Sequence, residues 1–254
     1  MTALLSLIGV TQRYSRGVRE ITVLDDVSFE LQSGDFACVL GQKGDGKTTL
    51  LEAAAGMRTP DAGRVLFQGR DLATAKDRER TLLLRSEIGC VWNRSVPIVL
   101  AETVIDHVAL PLKSARVPRK RARREAAAMI ERVGAGEYAD ARVLDLSQFQ
   151  RMRVALAQAC VRSPRVLIAD ELTDTLDMIE RTTLLGLLQG FARDGIGVLM
   201  TAADSHGAVG CTRLLSLSGG RLIEAEVVGR GAPAPADPAE VVPFPKRTQG
   251  GASA

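Results

Sequence analysis

The string GQKGDGKT, Gly41 to Thr48, fits GxxxxGK[ST] at every defined position, and its chemistry is phosphate binding. Glycines let backbone N–H groups wrap phosphate oxygens, a lysine neutralises their charge, and a hydroxyl ligates magnesium. Gly41, Gln42, Lys43, Gly44, Asp45 and Gly46 are therefore candidate phosphate contacts, with Lys47 as the cation, Thr48 as the Mg2+ ligand and Thr49 beside it. A second group, Asp170 and Glu171, ends the apolar run VLIAD in two carboxylates, at the strand end where open α/β sheets place their ligands. Asp170 suits the shell of a magnesium ion, and Glu171 suits the orientation or deprotonation of an attacking water. A third stretch, DLSQFQRMRVALAQA, reads as a helix opening at Ser147, with Gln150 completing a capping box. N–H groups gathered at that positive helix end make a natural phosphate site. Gln148 and Phe149 add bulk where glycine would allow close approach.

These groups need elements to position them. FACVL, Phe36 to Leu40, is a continuous apolar run of the kind found in a fully buried strand, and the half-buried strand VSFEL precedes it. A helix starts near Lys47 and stops at Gly56, so strand, glycine-rich turn and helix follow one another. VLIAD and IGVLMT are two further buried strands, each after a helical stretch, which argues for a mostly parallel sheet with helices on both faces. Between about 93 and 160 the text is mostly helical. Pro118 opens a helix there that ends at Gly134 and places Ala122, Ala126, Met129, Ile130 and Val133 on one face. Along the Ser147 helix the apolar stripe runs through Met152, Ala155, Leu156 and Ala159.

Composition narrows the function. A chain of 254 residues has room for one large α/β domain with an inserted subdomain. With 33 basic against 30 acidic residues, a net charge of +3 gives no ground for a nucleic-acid partner. The basic cluster Arg119, Lys120, Arg121, Arg123 and Arg124 has no interleaved aromatics and reads as a solvated helix face. No apolar run reaches the about 20 residues of a membrane helix. Four dispersed cysteines suggest neither zinc nor disulfides, and a cytoplasmic location is expected. Residues 229–254 hold half of the prolines without any period and read as a disordered tail.

With these parts in this order, the chain resembles the nucleotide-binding subunits of ATP-binding cassette (ABC) transporters from about Leu5 to Ile223. The resemblance implies an α/β fold: a P-loop NTPase (RecA-like) core with an antiparallel β subdomain and an inserted helical subdomain. It implies an ATP-binding domain over 1–228, with ATP and Mg2+ as cofactors. Tyr14, in TQRYSRG, stands at the aromatic that stacks on adenine in that family, and Asn93, in IGCVWNRS, at the glutamine that senses magnesium and the membrane partner. Ser147 and Gln150 survive from the signature LSGGQ, here LSQFQ, and Leu176 with Asp177 match a further pair. Family members dimerise head to tail, so each ATP lies between one subunit's phosphate loop and the other's signature helix. The segment SRGVREIT after Tyr14 is similar to the ATPases of lipoprotein-releasing and macrolide-efflux transporters.

The departures carry their own expectations. Ala202 or Ala203 stands where the family has a histidine, and neither side chain can hydrogen-bond a γ-phosphate. His206 lies a few residues on, and His107 reads as structural. The string LSGGR at Leu217 to Arg221 has no helix behind it and reads as a turn. The implied function is a peripheral subunit on the inner face of the cell membrane. It would form a homodimer, or a heterodimer with a second ATP-binding subunit, and drive a separate permease by ATP binding and slow hydrolysis. The alternative is a regulatory ATP-binding module with negligible turnover that controls a membrane partner.

Overall fold

The computed structural model describes residues 3–17, 19–74, 77–92 and 103–225. Two sheets form its frame. The first is antiparallel, ordered β2-β1-β4-β5, from β1 (Leu5–Arg16), β2 (Arg19–Leu31), β4 (Ala62–Phe67) and β5 (Arg70–Asp71). The second is ordered β10-β9-β3-β8-β7-β6, from β3 (Phe36–Leu40), β6 (Ile88–Trp92), β7 (Val166–Asp170), β8 (Gly197–Ala202), β9 (Arg213–Ser218) and β10 (Arg221–Ala225). All its pairings are parallel except the β9–β10 hairpin. LSGGR is the turn of that hairpin, and the strand β10 follows it.

Continuous apolar strands follow from burial on both faces. In β3, Phe36 and Cys38 pack into one core with the helical residues, while Ala37 and Val39 pack into a second core with the antiparallel sheet. The period of two sends alternate side chains to opposite faces, so one strand serves both cores. Helix α1 (Lys47–Ala54) lies in the second core through Leu50, Leu51, Ala53 and Ala54. Helix α7 (Met178–Arg193) lies in the first through Leu184, Leu185, Leu188 and Phe191.

Helix α2 (Asp77–Glu87) leads into β6, and the helical subdomain enters between β6 and β7 as α3 (Val104–Val108), α4 (Leu110–Ser114), α5 (Arg119–Arg132) and α6 (Gln148–Cys160). The predicted apolar face of α5 is buried, with Ala122, Ala126 and Ile130 at 0% exposure. Pro118 is the N-cap, one position ahead of the first turn. Asp106 ties three helices together, accepting from Lys113 at 3.0 Å and Arg123 at 2.6 Å. Burial works to raise its pKa, but these two cations overcome that and hold it at about 2. Arg123 thus leaves the basic cluster for a structural pair, while Arg119, Lys120, Arg121 and Arg124 are exposed. His107 is fully buried in α3. Helix α6 buries more than the predicted stripe: Val154, Ala157 and Cys160 join Met152, Ala155 and Leu156, because the helix is enclosed by α5, α3 and the sheet. Ala159 is only half-buried.

Candidate nucleotide site

The phosphate loop leaves the carboxyl end of β3 and closes on α1. Gly46 is the N-cap of α1 at φ 99°, ψ 13°, and no side chain caps the helix, which leaves its first N–H groups directed into the loop. A Cβ on Gly46 would stand 2.7 Å from Val23 Cγ1 and 3.0 Å from the Val23 carbonyl oxygen. Conformation and packing both require glycine there. Asp45 folds back on the loop, accepting from the Gln42 N–H at 2.7 Å. Gln42, Lys43 and Gly44 are exposed at its crest.

Sheet order brings the two halves of the site together. β8 lies between β3 and β7, with Val39 opposite Thr201 and Ala169 opposite Met200. The ends of β3 and β7 therefore face one crevice, and α1 bridges them. Thr48 Oγ1 donates to Asp170 Oδ2 at 2.9 Å. Asp170 is 6% exposed, and its other oxygen, Oδ1, accepts from Thr201 Oγ1 at 2.7 Å. Lys47, 4% exposed, places Nζ 2.6 Å from the Gly41 carbonyl, 3.1 Å from the Gln42 carbonyl and 3.1 Å from Glu171 Oε1. Glu171 adopts φ 49°, in the left-handed region. Its N–H donates to Thr201 Oγ1 at 3.0 Å.

Tyr14, on β1, is half-buried, with its hydroxyl 3.3 Å from Thr49 Oγ1 on α1. The Arg58 guanidinium lies over its ring at 5.0 Å and is held by Glu52, whose hydrogen bond raises the arginine pKa. The tyrosine is thus fixed at the mouth of the loop. The predicted capping box forms as read: Gln150 N–H donates to Ser147 Oγ at 3.2 Å, and Ser147 N–H to Gln150 Oε1 at 2.8 Å. Among the described residues, no hydrogen bond joins Ser147 or Gln150 to the phosphate loop of the same chain. Gln148 is occupied, donating to Thr175 Oγ1 at 2.8 Å, and Arg153 covers the Phe149 ring at 4.5 Å. Asn93 lies outside the described residues, as does the segment 229–254.

At the end of β8, Ala202 is fully buried, and a Cβ on Gly207 would stand 2.7 Å from the Ala202 Cβ and 2.6 Å from Thr173 Oγ1. Ala203 is exposed, and its N–H donates to Asp174 Oδ1 at 3.3 Å. Burial, followed by the nearby Glu171 charge, raises the Asp174 pKa against the pull of that N–H. His206 is exposed on the following turn, with Nδ1 3.8 Å from Asp204 Oδ1. Sequence reading missed Thr201, Thr175 and Asp174. A signal for Thr201 existed, since it is the polar residue closing an otherwise apolar buried strand at its ligand-facing end.

The oxygen donors Thr48 and Asp170, already 2.9 Å apart, fit a hard divalent cation, and Lys47 beside backbone N–H groups fits a polyphosphate. Comparison with known proteins agrees with a nucleotide polyphosphate as the ligand. The pattern that defines the family described as ABC transporter matches residues 24–174. The lipoprotein-releasing system ATP-binding protein LolD of Anaplasma marginale is 33% identical over 225 residues, 88% of this chain and 100% of that protein. The cell division ATP-binding protein FtsE of Escherichia coli is 36% identical over 200 residues, 78% of this chain and 89% of that protein. A solved ATP-binding cassette, dimeric in a post-hydrolysis state with ADP and Pi, superposes with a TM-score of 0.81 at 26% identity, covering 89% of this chain and 99% of its own. The chain belongs to the ABC transporter family, as an ATP-binding subunit built on the cassette ATPase fold.

Proposed function

We propose that the chain binds Mg-ATP between its phosphate loop and the Ser147 end of a second cassette, and hydrolyses it slowly to drive a membrane permease. The observation that carries this reading is that the loop and the acidic strand end meet in two pairs, Thr48 with Asp170 at 2.9 Å and Lys47 with Glu171 at 3.1 Å. Lys47 and the α1 N–H groups would hold the β- and γ-phosphates, and Tyr14 would stack on adenine. Thr48 and Asp170 would hold magnesium, which supplies charge neutralisation to the phosphates. Asn93 is proposed to add an amide contact on that side. Glu171 would orient the attacking water and accept its proton. Ser147 and Gln150 would face the γ-phosphate of the partner cassette.

Turnover is proposed to be slow because neither position 202 nor position 203 offers an imidazole and the signature start carries side chains. Losing one such contact costs about 10²-fold or more in rate. The lipoprotein-releasing and cell division relatives support a permease partner and a peripheral place on the inner face of the membrane. Among the described residues no helix is long and apolar enough to cross a membrane. The regulatory reading draws on the Gln148–Thr175 bond, which fills the signature start from within the chain. Size-exclusion chromatography of Glu171→Gln with Mg-ATP tests the dimer. Conversion from monomer to dimer supports self-association, whereas a monomer saturated with ATP would reject the homodimer and leave a different cassette as the required partner.

A further inference from the structure

We propose that Thr201 is the positioning residue that sets both carboxylates of the site. It is fully buried at the carboxyl end of β8, the strand lying between the phosphate-loop strand and the acidic strand. Its hydroxyl is used in both directions. The O–H donates to Asp170 Oδ1 at 2.7 Å, and the oxygen accepts the Glu171 N–H at 3.0 Å.

The first bond fixes the rotation of the Asp170 carboxylate. With Oδ1 held by Thr201, Oδ2 is the oxygen left to Thr48 at 2.9 Å, on the side where a cation would bind. The second bond holds the backbone of Glu171 at φ 49°, a conformation that non-glycine residues keep only where neighbours enforce it. That turn directs the Glu171 side chain to Lys47 at 3.1 Å. One hydroxyl therefore aims the metal-facing oxygen and the water-facing carboxylate together. In a chain with Ala202 and Ala203 where a histidine would stand, Thr201 is the side chain by which β8 acts on the reaction, through the two acids rather than on the phosphate.

The proposal rests on the Mg-ATP reading of the site, and its test has a readout that does not need turnover. Thr201→Val keeps the shape and removes both bonds, while Thr201→Ser keeps both. In the full-length protein with a non-hydrolysable ATP analogue, Mn2+ binding followed by electron paramagnetic resonance should weaken about 10-fold or more in the valine variant, as for other outer partners of metal-ligating carboxylates. ATP hydrolysis should fall about 10- to 100-fold in kcat. KM for Mg-ATP should rise in step with the lost metal affinity, whereas affinity for metal-free ADP should stay within about threefold, because Lys47 and the loop are untouched. Serine should restore both quantities to within about threefold of wild type.

Valine and wild-type proteins with equal Mn2+ affinity would overturn the proposal, even if the valine protein melts earlier, and so would a serine variant as impaired as valine. If the valine protein does not fold, Thr201→Cys, a poor donor of similar size, is judged by the same Mn2+ criterion. If wild type binds Mn2+ and the analogue but releases no phosphate, slow hydrolysis fails as a reading, while the metal titration still decides for or against Thr201.

Discussion

Replacing Glu171 by Gln should tighten nucleotide binding even where no bond is broken. All three Lys47 ammonium protons have acceptors: the Gly41 carbonyl, the Gln42 carbonyl and Glu171 Oε1. A phosphate that takes this lysine must displace Glu171, so the resting ion pair opposes binding. The lysine side chain is 3% and the glutamate 25% exposed, which keeps solvent screening modest. Lys47 keeps its charge in the variant, so only the ion–ion share of the pair is lost, about 0.2–1 kcal/mol for a partly exposed pair. That corresponds to about 1.4- to 5-fold in affinity. Magnesium-free ADP with a fluorescent label reports this by anisotropy, because neither metal nor hydrolysis then contributes. Glu171→Asp separates the ion pair from simple repulsion of the phosphate: it keeps the charge but shortens the reach. Both variants should bind ADP more tightly, Gln more than Asp. Unchanged affinity in both would refute the argument, and tightening by Gln alone would assign the effect to repulsion.

Other expectations follow from single positions. Gly46→Ala forces a Cβ to within 2.7 Å of Val23 at φ 99° and should lower the melting temperature by several degrees and abolish ATP binding; unchanged melting would contradict the packing argument. Ala203→His places an imidazole at the exposed end of β8 and should raise turnover about 10-fold or more, whereas an unchanged rate would mean that the missing histidine does not limit the reaction. Asp106→Asn should cost thermal stability at neutral pH. Because the folded carboxyl titrates at about 2, below its ordinary 3.8, its contribution is present above about pH 4 and is lost as pH falls toward 2. The difference in melting temperature between the variant and wild type should shrink across that window, and a pH-independent difference would assign the effect to packing.

What was legible in the sequence was local. The phosphate loop, the two acids after VLIAD and the capping box at Ser147 are contiguous, and their chemistry follows from residue types a few positions apart. The buried strands β3 and β7 coincide with their apolar runs, and β8 is displaced by one residue. The hairpin of β1 and β2 was visible only at VSFEL, because register shifts between Leu7 and Arg13 break the alternation that marks a strand. The Thr201 contacts, the Lys47–Glu171 pair and the Gln148–Thr175 bond join segments brought close by sheet order or helix packing. No periodicity announces them. Gln148 shows the difference most clearly: the sequence marks it as bulk at a helix start, whereas the fold gives that bulk a partner 27 positions away.

The most direct test of the whole account is phosphate release from Mg-ATP by the purified protein over a range of protein concentrations. The account predicts a slow rate per subunit that rises with concentration and disappears in Glu171→Gln, because each site needs the Ser147 end of a second cassette. A rate per subunit that does not change with concentration, or survives Glu171→Gln, would contradict it.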